Sequence, residues 1–145
     1  MHVRQVAGTG MLLLTIGSCC KDDCNDLTTI DRFEVRGFAR EEVDTVRIIS
    51  FQGDSTFSQS VDTFTFKTDQ TIDADRNSAS FTFEPSQNYT VEFPRAQRVY
   101  RISDITLGTK QCCREFLERK EYATTIVRHR VDGNVINGAY LVLRK

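Results

Sequence analysis

The chain contains no tryptophan, and only two prolines and two histidines occur among its 145 residues. With so little proline, only eight glycines and no internal repeat, no stretch resembles a linker between domains. No apolar run reaches the roughly 20 residues that a membrane-spanning helix needs. We therefore expect a single domain, and the length is sufficient for one hydrophobic core.

The chain also lacks an excess of charge of either sign, with 19 Lys and Arg against 20 Asp and Glu. Domains that bind nucleic acid usually carry a clear basic excess, so no nucleic-acid partner is expected. The charge is nevertheless uneven. Residues 19–92 carry 7 basic and 15 acidic side chains, and residues 93–145 carry 11 basic and 5 acidic ones. Either the two halves pair their charges in one body, or the second half forms a basic patch for an anionic glycan.

Motifs of common catalytic sites are missing. The sequence contains no G-x-S-x-G, H-E-x-x-H, P-loop or G-x-G-x-x-G. His129 is the single histidine after residue 18, and strand alternation would place it on one face with Thr125, Val127 and Val131. A catalytic base needs a nucleophile and an orienting partner within reach, so we expect a buried or edge histidine instead. The chain is predicted not to be an enzyme and to need no cofactor.

One acidic stretch has the ligand spacing of a calcium-binding loop. Ser78 stands where the sharp turn of such a loop needs glycine, and Phe81 occupies the place of a water-linked ligand. We therefore expect a polar hairpin loop rather than a metal site. The residues with this spacing are Asp73, Asp75, Asn77 and Glu84.

Alternating apolar and polar residues predict strands through most of the chain after Asp26. The stretch 111–122 fits either a short helix or an edge strand, and Asp132-Gly133 is the strongest hairpin signal. Tyr100-x-Ile102 resembles the tyrosine corner of immunoglobulin-like sandwiches. The predicted strands are 32–38, 43–51, 61–67, 79–84, 88–93, 98–107, 124–131 and 134–143.

Seven to nine short strands separated by turn residues predict an all-β fold. We expect a single antiparallel β-sandwich, immunoglobulin-like or transthyretin-like, with most of the ten phenylalanines in its core.

The N-terminal stretch is a short apolar run that ends at two cysteines. Residues 6–17 carry no charge, which suits the apolar region of a secretory signal. The sequence Ile16-Gly17-Ser18-Cys19 resembles the lipobox of bacterial lipoproteins. The resemblance implies a diacylglycerol thioether on Cys19, cleavage before it, and acylation of the new amino terminus by a chain such as palmitate. The alternative is a buried N-terminal strand or helix of a cytoplasmic protein.

Lys21-Asp22-Asp23 resembles the surface-export signal of Bacteroidota lipoproteins, although a solvated spacer would have the same composition. The chain as a whole resembles the small outer-membrane lipoproteins of this phylum, which join a lipobox to one β-sandwich. The resemblance implies a signal peptide at 1–18, an acylated tether at 19–30 and a sandwich domain at 31–145. Several acyl chains would hold the protein at the outer membrane, because each buried CH₂ contributes about 0.8 kcal/mol.

Four cysteines remain if Cys19 is acylated, namely Cys20, Cys24, Cys112 and Cys113. An even number in an exported chain indicates two disulfides, for which four cysteines allow three pairings. Adjacent cysteines in a strand point to opposite faces, so Cys112 and Cys113 should have separate partners, one of them Cys24. The alternative is a four-cysteine zinc site, but an adjacent pair does not fit the usual C-x₂₋₄-C spacing.

Two functions agree with these features. The first is a non-enzymatic envelope protein whose sandwich presents a face to a protein partner or to the envelope itself. The second is a glycan-binding module on the cell surface, with Arg98, Arg101, Arg128 and Arg130 as polar contacts. Exposed aromatic rings commonly hold sugars, but tryptophan is absent and the tyrosines alternate with core-like residues. These tyrosines are Tyr89, Tyr100, Tyr122 and Tyr140.

The lipobox predicts the effect of Cys19→Ala. Without its thiol the chain cannot receive the diacylglycerol group, so the variant should move from the membrane fraction to the soluble fraction and stop incorporating labelled palmitate. Cys20→Ala is the control and should remain acylated. Palmitate that still entered the Cys19→Ala variant would refute this assignment of the acylated residue.

Overall fold

The computed structural model describes residues 25–53, 56–67, 78–111 and 122–145. Within them, nine strands form two sheets, which confirms the all-β sandwich. In chain order these are β1 (Ile30–Arg36), β2 (Thr45–Gln52), β3 (Ser60–Lys67), β4 (Ser78–Phe83), β5 (Gln87–Phe93), β6 (Arg98–Gln111), β7 (Tyr122–Val131), β8 (Asn134–Asn137) and β9 (Leu141–Arg144). The five cysteines, the acidic residues 73–77 and the ambiguous residues 112–121 lie outside the described part.

The larger sheet has the strand order β3-β2-β5-β6-β7-β8, and the smaller sheet has the order β4-β1-β9. The described strand pairs are antiparallel, as predicted, except for β1 and β9, which run parallel from Phe33↔Leu141 to Arg36↔Arg144. The predicted strand 43–51 begins two residues late, because Arg40–Val43 form a 3₁₀ helix. The finer likeness to immunoglobulin or transthyretin sandwiches stays a prediction.

The last predicted strand, 134–143, is divided in two. Its first part, β8, pairs with β7 in the larger sheet, and its second part, β9, pairs with β1 in the smaller sheet. Gly138 lies between them at φ +86°, a backbone conformation that favours glycine. The chain therefore changes sheets at Gly138. The preceding turn confirms the hairpin prediction, since Asp132 and Gly133 both have the positive φ of a type I′ turn.

A β-bulge interrupts β6. Ser103 pairs with Arg130 and Thr106 pairs with Arg128. Between these two pairs β6 therefore contains one residue more than β7. Asp104 lies inside the bulge at φ +52°. The extra residue reverses the alternation, and Ile105 is therefore buried although it lies an odd number of positions from the preceding core residues of β6.

A second bulge interrupts β7 at Val127, because Thr106 and Leu107 are adjacent while their partners, Arg128 and Ile126, are two apart. Alternation is reversed again, so Ile126 and His129 are both buried whereas Val127 is exposed. The prediction that His129 and Val127 share a face is therefore wrong.

Aromatic rings join the two sheets. The Phe83 ring, from the smaller sheet, lies edge-on to the Tyr89 ring of the larger sheet, with centroids 5.0 Å apart. Phe33 packs edge-on against Phe83 at 6.0 Å, and Phe81 packs edge-on against Tyr89 at 6.0 Å. Such pairs contribute about 0.5–1.5 kcal/mol each beyond the burial of their area. These rings belong to the core, as predicted, although Phe64 at the sheet edge is exposed.

Tyr100 links the sheets through a hydrogen bond. Its hydroxyl donates to the backbone carbonyl of Arg144 in β9, at 2.5 Å. In a tyrosine corner the hydroxyl bonds backbone a few residues upstream. Here the acceptor lies 44 residues downstream, so the resemblance does not extend to this contact.

The chain joins the body before β1 begins. Leu27 forms a parallel bridge with Thr125: its N–H donates to the carbonyl of Thr124 at 2.8 Å, and its carbonyl accepts from the N–H of Ile126 at 3.0 Å. The Asp26 carboxylate accepts from the N–H of Thr124 at 2.7 Å. This edge of β7 is available because β8 pairs only with Arg128–Val131. Asp26 and Leu27, within the expected tether, therefore contact the body.

We predict that Tyr100→Phe lowers the free energy of unfolding by about 1 kcal/mol, because the Arg144 carbonyl loses its hydrogen-bond donor. Urea denaturation measures this difference. Tyr140→Phe is the matched control, since Tyr140 is largely exposed, and it should change stability little. Equal losses in the two variants would contradict a stabilising link between the sheets.

Candidate functional site

Three of the four predicted arginine contacts lie together on the larger sheet. Arg101 and Arg130 line a groove of about 600 Å³, which we call the arginine groove. Arg128 lines an adjoining hollow of about 280 Å³, and this hollow shares Asp104 and Arg130 with the groove. Arg98, at the start of β6, lines neither of them, so the structure separates it from the other three.

Strand alternation explains why these arginines face solvent. Arg101 lies between buried Tyr100 and Ile102, and Arg128 and Arg130 flank buried His129. The β6 bulge brings Asp104 beside Arg130, whose Nε lies 3.1 Å from the carboxylate. The outer face of β6 and β7 therefore carries three arginines, with Asp104 and Asp132 beside them.

Phe57 forms the aromatic wall of the arginine groove. It lies between β2 and β3 at φ +52°, and its ring packs edge-on against Phe51 with centroids 5.4 Å apart. The guanidinium carbon of Arg101 lies 5.7 Å from the centre of the Phe57 ring. A cation–π contact at such a site contributes about 0.5–1 kcal/mol. This ring and guanidinium together form an amphipathic surface.

Sequence reasoning missed Phe57, because it assigned most phenylalanines to the core. The local pattern indicates only a turn near Gln52 and Gly53. The position of the ring depends on Arg101, 44 residues further along the chain, and no local signal predicts that contact.

Asp132 fixes the end of the arginine groove. Its carboxylate accepts from the N–H of Arg101 at 2.8 Å, and its own N–H donates to the carbonyl of Arg101 at 2.8 Å. Asp104 is likewise engaged by Arg130. Within the described residues, Arg128 makes a long contact of 3.5 Å with the Thr106 hydroxyl. The groove thus presents guanidinium donors to solvent, and its two exposed acids, Asp104 and Asp132, are engaged by Arg130 and by the Arg101 N–H.

A second groove, of about 520 Å³, lies on the smaller sheet and includes Tyr140. Tyr140 is 74% exposed and lies beside Arg32, Glu34 and Arg36, the last two joined by an ion pair of 2.7 Å. We call this the Tyr140 groove. Tyr140 is exposed because it follows the sheet change at Gly138 and precedes the pairing of β9.

The four tyrosines divide between the core and the surface. Tyr89 and Tyr100 are buried, as the alternation indicates, whereas Tyr122 and Tyr140 are 57% and 74% exposed.

The charges of the two halves pair only in part. Lys145 bonds Glu42 at 2.5 Å and Arg95 bonds Asp44 at 2.9 Å, so two described ion pairs join the halves. The Lys145 hydrogen bond, assisted by the backbone N–H of Ala39, lowers the pKa of Glu42. The arginines of the groove do not take part in these pairs between the halves, and Arg130 pairs instead with Asp104 of its own half.

His129 is fully buried, as predicted, at the sheet change. Its Nδ1 lies 3.0 Å from the carbonyl of Gly138. Because a carbonyl only accepts, Nδ1 carries the hydrogen in this contact, and Nε2 has no hydrogen-bond partner within the described residues. Burial lowers the pKa of His129 below its ordinary value of 6.5, against the opposing effect of the Gly138 hydrogen bond. The neutral imidazole of His129 therefore stabilises the crossover of the chain between the two sheets at Gly138.

The described ranges contain no group of three or more His, Cys, Asp and Glu side chains that could hold a metal ion. They also include no helix with the length and apolarity that a bilayer crossing requires.

The lowered pKa of His129 predicts a stability that depends on pH. The unfolded chain takes up a proton near pH 6.5 while the folded chain resists it, so stability is complete above about pH 6.5 and falls as the pH drops through the folded pKa. Urea denaturation between about pH 7.5 and pH 5 should show this loss. His129→Asn retains an N–H donor but does not titrate, so its stability should vary less over that interval. An identical pH slope in both proteins would contradict the assignment.

Comparison of the chain with protein-family models, with curated proteins and with solved structures finds no match.

Proposed function

We propose that the protein is a non-enzymatic lipoprotein of the bacterial outer membrane that presents the arginine groove to a protein partner in the envelope. The observation that carries this proposal is the grouping of Arg101, Arg128 and Arg130 on one outer face. The lipobox at Ile16–Cys19 supports the membrane location. The lipid on Cys19 would be the membrane contact, and the sandwich would be the contact with the partner.

The composition of this face suits a protein interface. Val99 and Val135 lie beside the arginines, and both side chains are more than half exposed. Interfaces combine apolar side chains with arginine, whose planar guanidinium forms paired hydrogen bonds with carboxylates. A partner with an acidic and partly apolar surface would match this pattern.

The same contacts disfavour catalysis at the groove. Asp104 is engaged by Arg130, and the Asp132 carboxylate is bonded to the N–H of Arg101. Acid–base chemistry needs a carboxyl group or histidine that exchanges protons with the substrate. His129 is buried, and its Nδ1 is occupied by the Gly138 carbonyl. A binding function agrees better with these groups.

The second candidate function is a glycan-binding module on the cell surface. The exposed ring of Tyr140, beside Arg32 and Glu34, is the observation that favours it. A sugar could place its C–H face on the ring and its hydroxyls against the charged side chains. Phe57 and Arg101 offer a similar combination in the arginine groove.

Cross-linking on intact cells tests the first candidate. The wild-type protein should form one defined adduct, whose partner is identified by mass spectrometry. The Arg101→Ala/Arg130→Ala double variant should lower the adduct yield about tenfold, since the loss of two interface arginines costs more than 1.4 kcal/mol. Arg98→Ala is the matched control, because Arg98 is exposed on the same strand but lies outside the groove.

An adduct that is equally abundant in the double variant would exclude the arginine groove as the interface. Retarded migration of the protein through gels containing polysaccharide, abolished by Tyr140→Ala and not by Tyr140→Phe, would support the glycan candidate instead.

A further inference from the structure

The β6–β7 hairpin extends beyond the rest of the larger sheet. Strand β5 pairs with β6 only from Arg98 to Ile102. From Ser103 to Gln111, β7 is the one described strand that pairs with β6. On its other edge, β7 also forms the short bridge with Leu27. We call the part formed by Leu107–Gln111 and Tyr122–Ile126, together with Leu27, the ribbon end.

Asp26 and Leu27 lie alongside the ribbon end. The bridge between Leu27 and Thr125 is parallel, so the backbone at Leu27 runs the same way as β7. The contact between Asp26 and Thr124 agrees with this direction. From Leu27 back to Asp26 the chain therefore runs along β7 in the direction of Tyr122.

Cys19 lies close along the chain to the point where it joins the body. Cys19 and Asp26 are seven positions apart. Even a fully extended chain of that length spans at most about 25 Å. If Cys19 carries the acyl chains, as the proposed function requires, the membrane surface lies within that distance of the point where the chain joins the body.

The ribbon end has the composition of a surface that contacts the membrane interface. Tyr122 is 57% exposed, Leu27 is 45% exposed and Leu107 is 40% exposed. Tyrosine favours the interface because its ring is apolar while its hydroxyl remains hydrated. Leucine side chains gain free energy when they leave water for the acyl boundary.

We propose that the ribbon end rests on the headgroup layer of the bilayer, with Tyr122 and Leu27 at the interface, and that the arginine groove faces away from the membrane. This orientation rests on the proposed acylation of Cys19. Arg101 and Gln111 are ten positions apart on β6. At about 3.3 Å per residue, Arg101 in the groove lies roughly 30 Å from Gln111 along β6. The anchor and the binding surface thus occupy opposite ends of one hairpin.

The absence of tryptophan allows a direct test, because a single introduced tryptophan reports on one position. Tyr122→Trp and Leu27→Trp place the probe at the ribbon end, and Val99→Trp, at a site 53% exposed on the same strand as the groove, is the matched control. Each acylated full-length variant is purified from membranes and reconstituted into vesicles of phosphatidylethanolamine and phosphatidylglycerol. Brominated phosphatidylcholine in the vesicles then acts as the quencher.

The two ribbon-end variants should lose about half of their fluorescence or more, with emission shifted to the blue, while Val99→Trp keeps most of its signal. Urea denaturation confirms that each variant is folded. Vesicle flotation without quenching at either ribbon-end position, or with stronger quenching at position 99, would overturn the orientation while leaving the anchor intact. Failure of the wild-type protein to float with the vesicles would overturn both the anchor and the orientation.

Discussion

The packing of three strands against six is the constraint on which the rest of the structure depends. Each sheet has an apolar inner face, and burial of that face contributes about 25 cal/mol per Å². The Phe83 ring against Tyr89 and the Tyr100 hydrogen bond to β9 hold these faces together. Within the larger sheet, β6 and β7 continue past the end of their pairing with β5. The outer face of these two strands carries the arginine groove.

The two bulges on β6 and β7 determine which side chains reach the outer face. Each bulge reverses the inward and outward alternation of its strand, so the reversals on paired strands keep the inner face apolar. Ile105 and Ile126 stay buried, while Asp104 is brought to the side of Arg130. Arg101, Arg128 and Arg130 share the outer face because the bulge on β7 compensates for the bulge on β6. A strand without the bulge would turn Ile105 towards solvent.

The proposed function places the membrane contact and the partner contact at opposite ends of β6 and β7. Asp26 and Leu27 lie alongside β7 at the ribbon end, so a lipid on Cys19, as proposed, would draw that end to the membrane. The arginine groove lies at the far end of the same two strands, where a partner could reach it without displacing lipid. Neutral His129, held against the Gly138 carbonyl, stabilises the crossover between the sheets. The proposed function therefore depends on the placement of these surfaces.

The sequence by itself determined the strands, the Asp132-Gly133 hairpin and most of the aromatic core, because alternation and turn propensity depend only on neighbouring residues. It also nominated four arginines as contacts, three of which the structure places together on one face. Only the tertiary structure decided that the last strand divides at Gly138, that β1 and β9 run parallel, and that Phe57 stands over Arg101. It also excluded Arg98 from the groove and exposed Tyr140. These features depend on contacts between residues far apart in the chain, and local periodicity carries no information about such contacts.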